Sequence, residues 1–257
     1  ASAEFLPGLV NAGTSLGPVL SSAPVELRGA AVTVAGHDHL VGSVGAGAVG
    51  GDDLFDSCGT ADVILRTVPR TLSNADRSHL VGRGLSAGRH VLAGSTAILG
   101  ATRSGLVLGR IMSMVGAEDR AARQQLADTW RPDREPSARV IVSEPPGWTN
   151  EVTVRLRDDA TPTDVWGAAT EYVLAQTAEL LEAVAEVAGP YQTAIAAGGW
   201  AQVKGVYRGK AQVMPGLLVS DIEFPGATGA AMFAAQAAGF ASGPLTSSVP
   251  SNAQLTQ

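Results

Sequence analysis

The sequence predicts an α/β fold with a mixed central sheet and flanking helices. Short apolar, β-branched runs alternate with segments of helical period along most of the 257 residues, the pattern of strands covered by helices. Two early pairs of runs are separated only by short Gly-containing turns, so the sheet must contain hairpins and is not purely parallel. An apolar content of 45% against 16% charged residues supplies a sizeable core.

Residues 1–30 read as an irregular lead-in. Pro7, Gly8, Gly13, Gly17, Pro18 and Pro24 interrupt every period. Residues 31–35 form a short strand ending at Gly36, and Leu40–Val49 reads as a Gly/Ala-rich helix. Gly50-Gly51-Asp52-Asp53 is a turn. Leu54–Asp56 and Val63–Val68 are strands flanking a Gly59-Thr60 turn. Residues 70–89 read as polar and turn-rich. His90–Leu92 and Ala97–Leu99 form a second strand pair around Gly94-Ser95.

Gly105–Val115 has helical spacing, with Leu106, Leu108, Ile111, Met112 and Val115 apolar. Ala117–Thr129 is a more polar helix. The Pro-rich stretch 131–150 is loop apart from a strand at Val140–Val142, and Glu151–Arg157 alternates as a half-exposed strand. The strongest helix runs from Pro162 to Val187. Thr161 caps it, Pro162 takes its first position, and Gly189-Pro190 stops it. Thr193–Ala197 is a strand entering Gly198-Gly199, and Trp200–Tyr207 is a turn or short helix. Gln212–Met214 and Leu217–Val219 are short strands, and Pro225–Ala238 is a small-residue helix. The tail, 241–257, is rich in Ser, Pro, Thr and Gln and reads as disordered.

Charge and cysteine content narrow the partners. The net charge is −6, from 18 Lys and Arg against 24 Asp and Glu, with no basic block. Nucleic acid and anionic membranes are poor partners for such a chain. The single cysteine, Cys58, cannot form an intrachain disulfide and fits a reducing cytoplasm. No apolar run reaches the roughly 20 residues that span a bilayer. The first residues lack the positive n-region and long apolar stretch of a signal peptide.

Three places carry chemistry. Asp38 follows a strand and is flanked by His37 and His39. A carboxylate there can take a proton from an attacking hydroxyl, and it can equally serve a helix start. No further Cys or His nearby completes a zinc ligand set with the two histidines. Gly59-Thr60 and Gly198-Gly199 are glycine turns after strands. Such turns let a nucleotide approach the backbone and offer N–H groups and a hydroxyl to phosphate. Gly45-Ala46-Gly47-Ala48-Val49-Gly50 matches the spacing of a dinucleotide fingerprint. It lies about ten residues past its strand, the wrong context for a nicotinamide site, so close helix packing is the expected role of these glycines.

Together these segments resemble the C-terminal half of the FGGY family of carbohydrate kinases. LPGLVNAGTSLGP (residues 6–18) resembles the segment that closes the family's sugar-binding half. AGHDHLVGSVGAGAVGGDDLFDSCGTADVIL resembles its Gly-His-Asp segment, following helix and Ser-x-Gly-Thr turn. AIAAGGWAQVKG resembles the Gly-Gly adenine loop, and EFPGATGAAMFAAQAAG the closing helix.

The resemblance implies an actin-like, ribonuclease-H-like ATPase domain over residues 31–240, with 1–30 leading in from a sugar-binding domain. Asp38 would be the catalytic base, with His37 and His39 beside the substrate. Gly59 and Thr60 would lie on the phosphate side, and Gly198 and Gly199 on the adenine side. Gly105 would precede a helix bordering the nucleotide. ATP and Mg²⁺ would be required, with Mg²⁺ bridging phosphates and no protein ligand to the metal assigned. Two departures stand out. The family's opening Asp-x-Gly-Thr phosphate motif and its N-terminal domain are absent, and Val203 occupies a position near adenine where relatives place Asn or Ser. Trp200 and Lys204 lie next to it. A small sugar or polyol is the expected substrate, xylulose among the candidates. The competing reading is a non-catalytic actin-like nucleotide-binding module. A homodimer stays open on sequence alone.

Overall fold

In the computed structural model, residues 7–131, 138–145 and 151–240 are described. Six strands form the main sheet, in the order β10-β9-β3-β4-β6-β5. These are β3 (Asp53–Cys58), β4 (Asp62–Val68), β5 (Ser86–Arg89), β6 (Thr96–Thr102), β9 (Thr193–Ala197) and β10 (Leu217–Val219). β10, β9 and β3 run parallel, whereas β4, β6 and β5 continue as antiparallel hairpins. The sheet is therefore mixed, as the two glycine-turn hairpins require.

Alternation along the central strands sends side chains to two buried faces. On one face Phe55, Leu65, Ile195 and Ala197 pack against Leu40, Ala46 and Ala48 from and just after α1 (Asp38–Gly45). α7 (Pro225–Ala237) crosses α1 there. A Cβ on Gly45 would overlap the Pro225 carbonyl, and one on Gly229 would overlap the Val41 carbonyl. The glycines of the fingerprint-like segment thus begin with helix-to-helix contact, and the segment ends the helix rather than opening one.

On the other face Leu54, Ile64, Ala194 and Ala196 meet α6 (Lys204–Val213) through Tyr207 and Met214. The long helix α5 (Pro162–Ala188) covers the same face with Leu180, Ala183 and Val184. Its 27 residues extend about 40 Å, longer than any strand here. Its N-terminal half therefore projects past the sheet. There Val165, Trp166 and Val173 build a second core with α3 (Ser104–Met114), α4 (Arg120–Ala127) and the separate hairpin of β7 (Val140–Ser143) and β8 (Thr153–Leu156). Thr161 and Asp164 form a reciprocal capping box at the start of α5, and Gly189 at φ 70° ends it.

Several sequence expectations shift. Residues 15–18 form β1, antiparallel to β2 (Ala31–Thr33), within the expected irregular lead-in. The polar stretch 70–89 holds α2 (Asn74–Gly82), whose single buried side chain, Leu80, leaves no apolar period to detect. Its Ser73–Asp76 capping box was the available signal. His90–Leu92 lies in the hairpin turn, with β5 and β6 on either side. Gln212–Met214 ends α6 and is not a strand, because Met214 is fully buried against the sheet. The tail, 241–257, lies outside the described residues. No described helix is long and apolar enough to cross a membrane.

Candidate functional site

The three glycine corners meet. β3 and β9 are parallel neighbours, with Ser57 opposite Ala197, so their C-terminal ends deliver Gly59 and Gly198 to the same edge. Gly198 adopts φ 105°, and a Cβ there would lie 2.5 Å from the Cys58 carbonyl oxygen. Only glycine satisfies both constraints. Gly105, in the first turn of α3, packs so closely that a Cβ would overlap the Gly59 carbonyl and lie 2.7 Å from Trp200 Nε1. The Leu106 N–H donates to the Thr60 carbonyl at 3.0 Å, tying α3 to the turn. Arg103, which precedes α3, lies 3.1 Å from Glu144 at the end of β7.

The exposed side of this cluster is presented by Thr60, Gly198 and Gly199. Gly59 donates its own N–H inward, to the Ser57 and Ala61 carbonyls. It shapes the turn and does not offer that N–H outward. Nothing lies within 4 Å of the position a Gly199 Cβ would take, so there is room for a group to approach that backbone. Val203 caps α6 with no side-chain hydrogen bond, and Lys204 opens the helix.

Asp38 stands on α1, which lies on the opposite face of the sheet from α5 and α6. It occupies the first turn, with His37 as the N-cap. The Asp38 carboxylate accepts from the His39 N–H at 2.8 Å and sits 3.0 Å from His37 Nδ1. Its side chain is 82% exposed, so it is free to meet a solute. The His37 and His39 rings stack with centroids 5.6 Å apart, His37 being in extended backbone at the N-cap just before the helix begins.

Beneath the corners lies a charged cluster that the sequence reading missed. Lys210 of α6 donates from Nζ to Asp56 Oδ2 at 2.6 Å and to both oxygens of Asp62, at 2.8 and 2.6 Å. Thr177 of α5 adds its hydroxyl to Asp62 at 3.5 Å. All three charged side chains are buried. Burial and the Asp56 charge push Asp62 up to about 8. Burial also opposes ionisation of Asp56, but the Lys210 charge outweighs it and holds Asp56 below the usual range. Burial likewise opposes the charge on Lys210, and the surrounding anionic groups overcome it and raise its pKa. Asp56, Cys58 and Asp62 have ligand atoms within 4.8 Å of one another. The Lys210 ammonium occupies the position between the carboxylates, so this is an internal ion cluster. Two surface cavities, of about 270 and 290 Å³, lie elsewhere, one beside Arg66 and Tyr191 and one beside α4.

No protein-family model and no curated protein matches the sequence. Solved structures do match its fold. Xylulose kinase from Lactobacillus acidophilus superposes with a TM-score of 0.75 at 14% identity, over 94% of this chain and 50% of that one. Xylulose kinase from Rhodospirillum rubrum gives 0.70 at 18%, over 96% and 52%. Plasmodium falciparum glycerol kinase with ADP gives 0.71 at 14%, over 91% and 48%. The chain spans about half the length of the sugar kinases it matches. The fold is the actin-like α/β domain of such enzymes.

Proposed function

We propose that this chain is the nucleotide-binding half of an FGGY-type carbohydrate kinase, which moves the γ-phosphoryl group of ATP to a hydroxyl of a small sugar or polyol. The observation that carries this reading is the meeting of Gly59, Gly105, Gly198 and Trp200 at one sheet edge. Two separate stretches of chain, at Gly105 and Gly198, give up side-chain volume to pass the Gly59 and Cys58 carbonyls of a third. Thr60 and the Gly198–Gly199 backbone form the open rim against which phosphate and adenine would rest.

In this reading Asp38 is the general base. The sugar oxygen attacks the γ-phosphorus, its proton passes to the Asp38 carboxylate, and the bond from phosphorus to the bridging oxygen breaks to release ADP. The His39 N–H holds that carboxylate, donating to it at 2.8 Å, and His37 Nδ1 lies 3.0 Å from the same oxygen. Mg²⁺ bound to the phosphates would offset their charge. The chain's own residues supply orientation: the His37 cap fixes the start of α1, and the α1–α7 crossing at Gly45 and Gly229 fixes its axis.

A sugar-binding domain would complete the site. Leu16, Leu20, Val25 and Leu27, in and after β1, are more than half exposed, an apolar surface suited to contact with another domain.

Two measurements test the proposal. Mg-ATP should bind this chain in a calorimetric titration while NAD gives no heat. In the protein carrying both halves, Asp38→Asn should abolish phosphoryl transfer and leave ATP affinity within about twofold. An Asp38→Asn protein that still phosphorylates sugars would assign the base to another group, and a parent protein that binds Mg-ATP without phosphorylating any sugar or polyol would leave only the non-catalytic module.

A further inference from the structure

We propose that the Asp56–Asp62–Lys210 cluster is a set of positioning residues for the nucleotide, and that its charge state sets nucleotide affinity. The inference rests on the nucleotide reading of the corners above.

The geometry places the cluster at the junction. Asp56 and Asp62 lie on the two strands joined by the Gly59–Thr60 turn, with Cys58 opposite Asp62 in the register. Lys210 comes from α6, which follows the Gly198–Gly199 corner and Trp200 by a few residues. One ammonium thus bridges the stem of the phosphate-side turn to the helix that follows the adenine-side loop. The three groups are 0%, 2% and 4% exposed for Asp56, Asp62 and Lys210. Asp56 Oδ1 is buried with no hydrogen-bond partner, so the cluster has more acceptors than its single ammonium satisfies.

The charge count gives the consequence. With one carboxyl protonated, Asp56, Asp62 and Lys210 sum to zero. With both ionised they sum to −1, directly under the turn that would hold phosphate. The other groups facing the cluster do not compensate. Cys58, on β3, is held uncharged because burial pushes its thiol up, and Thr177, on α5, is neutral. Lys210 stays charged through this range, since its pKa is raised. An extra charge about 10 Å from a bound phosphate, at an effective dielectric of about 20, weakens binding roughly tenfold.

The test is a calorimetric titration of Mg-ATP into the whole chain at about pH 7 and about pH 9.5, in buffers of different ionisation enthalpy. The ATP phosphates are already ionised over that interval. Affinity should fall roughly tenfold at the higher pH, and binding there should take up a fraction of a proton, since a tenfold penalty moves the cluster's titration by only about one pH unit. Asp62→Asn keeps an acceptor for Lys210 and fixes the cluster at zero charge. Its affinity should be independent of pH and match that of the wild type at about pH 7. A wild-type affinity that is flat with pH and free of proton uptake overturns this inference and leaves the nucleotide site intact. Absence of ATP binding at either pH overturns the nucleotide reading and this inference together. A cluster with only a structural role would change thermal stability in Asp62→Asn while both proteins bound ATP with the same pH profile.

Discussion

The contact between α3 and the Gly59 turn can be tested by two alanines one helical turn apart. Gly105 and Gly109 both face Trp200. At Gly105 a Cβ would overlap the Gly59 carbonyl and lie 2.7 and 2.8 Å from two indole atoms. At Gly109 it would lie 3.7 Å from Trp200 Cζ2, ordinary van der Waals contact. Both residues are helical, so alanine gains about 0.5–1 kcal/mol of backbone entropy at either place. At Gly109 that gain stands alone. At Gly105 a backbone oxygen must move, and overpacking of this kind costs typically 1–3 kcal/mol. Gly109→Ala should therefore raise the melting temperature by about 2–4 °C, and Gly105→Ala should lower it by a few degrees. Thermal melts followed by circular dichroism would show the opposite signs. Gly105→Ala should also weaken Mg-ATP binding, since it separates α3 from the turn. Equal stabilisation by both alanines would refute the close approach and with it the junction on which the proposed site depends.

Other outcomes follow from the buried charges and helix ends. Lys210→Met strands two buried carboxylates and should cost about 3–5 kcal/mol in denaturant unfolding, most of it recovered when Asp56 and Asp62 are made apolar as well. Asp62 binds its proton more tightly in the folded chain, with a pKa raised to about 8 from its ordinary 3.8. Stability should thus decline as pH rises from about 4 to about 8, and Asp62→Asn should remove that slope. His90 runs the other way. Burial lowers its pKa from 6.5 to about 4, so its contribution is complete above about 6.5 and is lost as pH falls toward about 4, which acid titration of wild type against His90→Phe would show. Thr161→Ala removes the α5 capping box and should cost about 1 kcal/mol by urea unfolding.

The residues themselves show what could be read in one dimension. Thr161-Pro162 and Gly189 define α5 because caps and stops act over a few neighbouring residues. The Gly59–Thr60 hairpin is equally local, and the Thr193–Ala197 run entering Gly198 reads as a strand from its own composition. Gly105 and Gly198 were legible because backbone that must approach other backbone tolerates no Cβ. The limits are also physical. α2 buries only Leu80, so a period search passes over it. Asp56 and Asp62 interrupt the apolar pattern of β3 and β4, and nothing near them in sequence explains why they are buried. Their partner is Lys210, 154 positions from Asp56. That pairing exists because β9 adds in parallel beside β3 and returns through α6 across the same face. The sequence by itself determined α5, the Gly59–Thr60 hairpin and the glycine turns, each from contacts within a turn or two. The tertiary structure alone decided which of these meet, because the partner that neutralises a buried charge is chosen by sheet order.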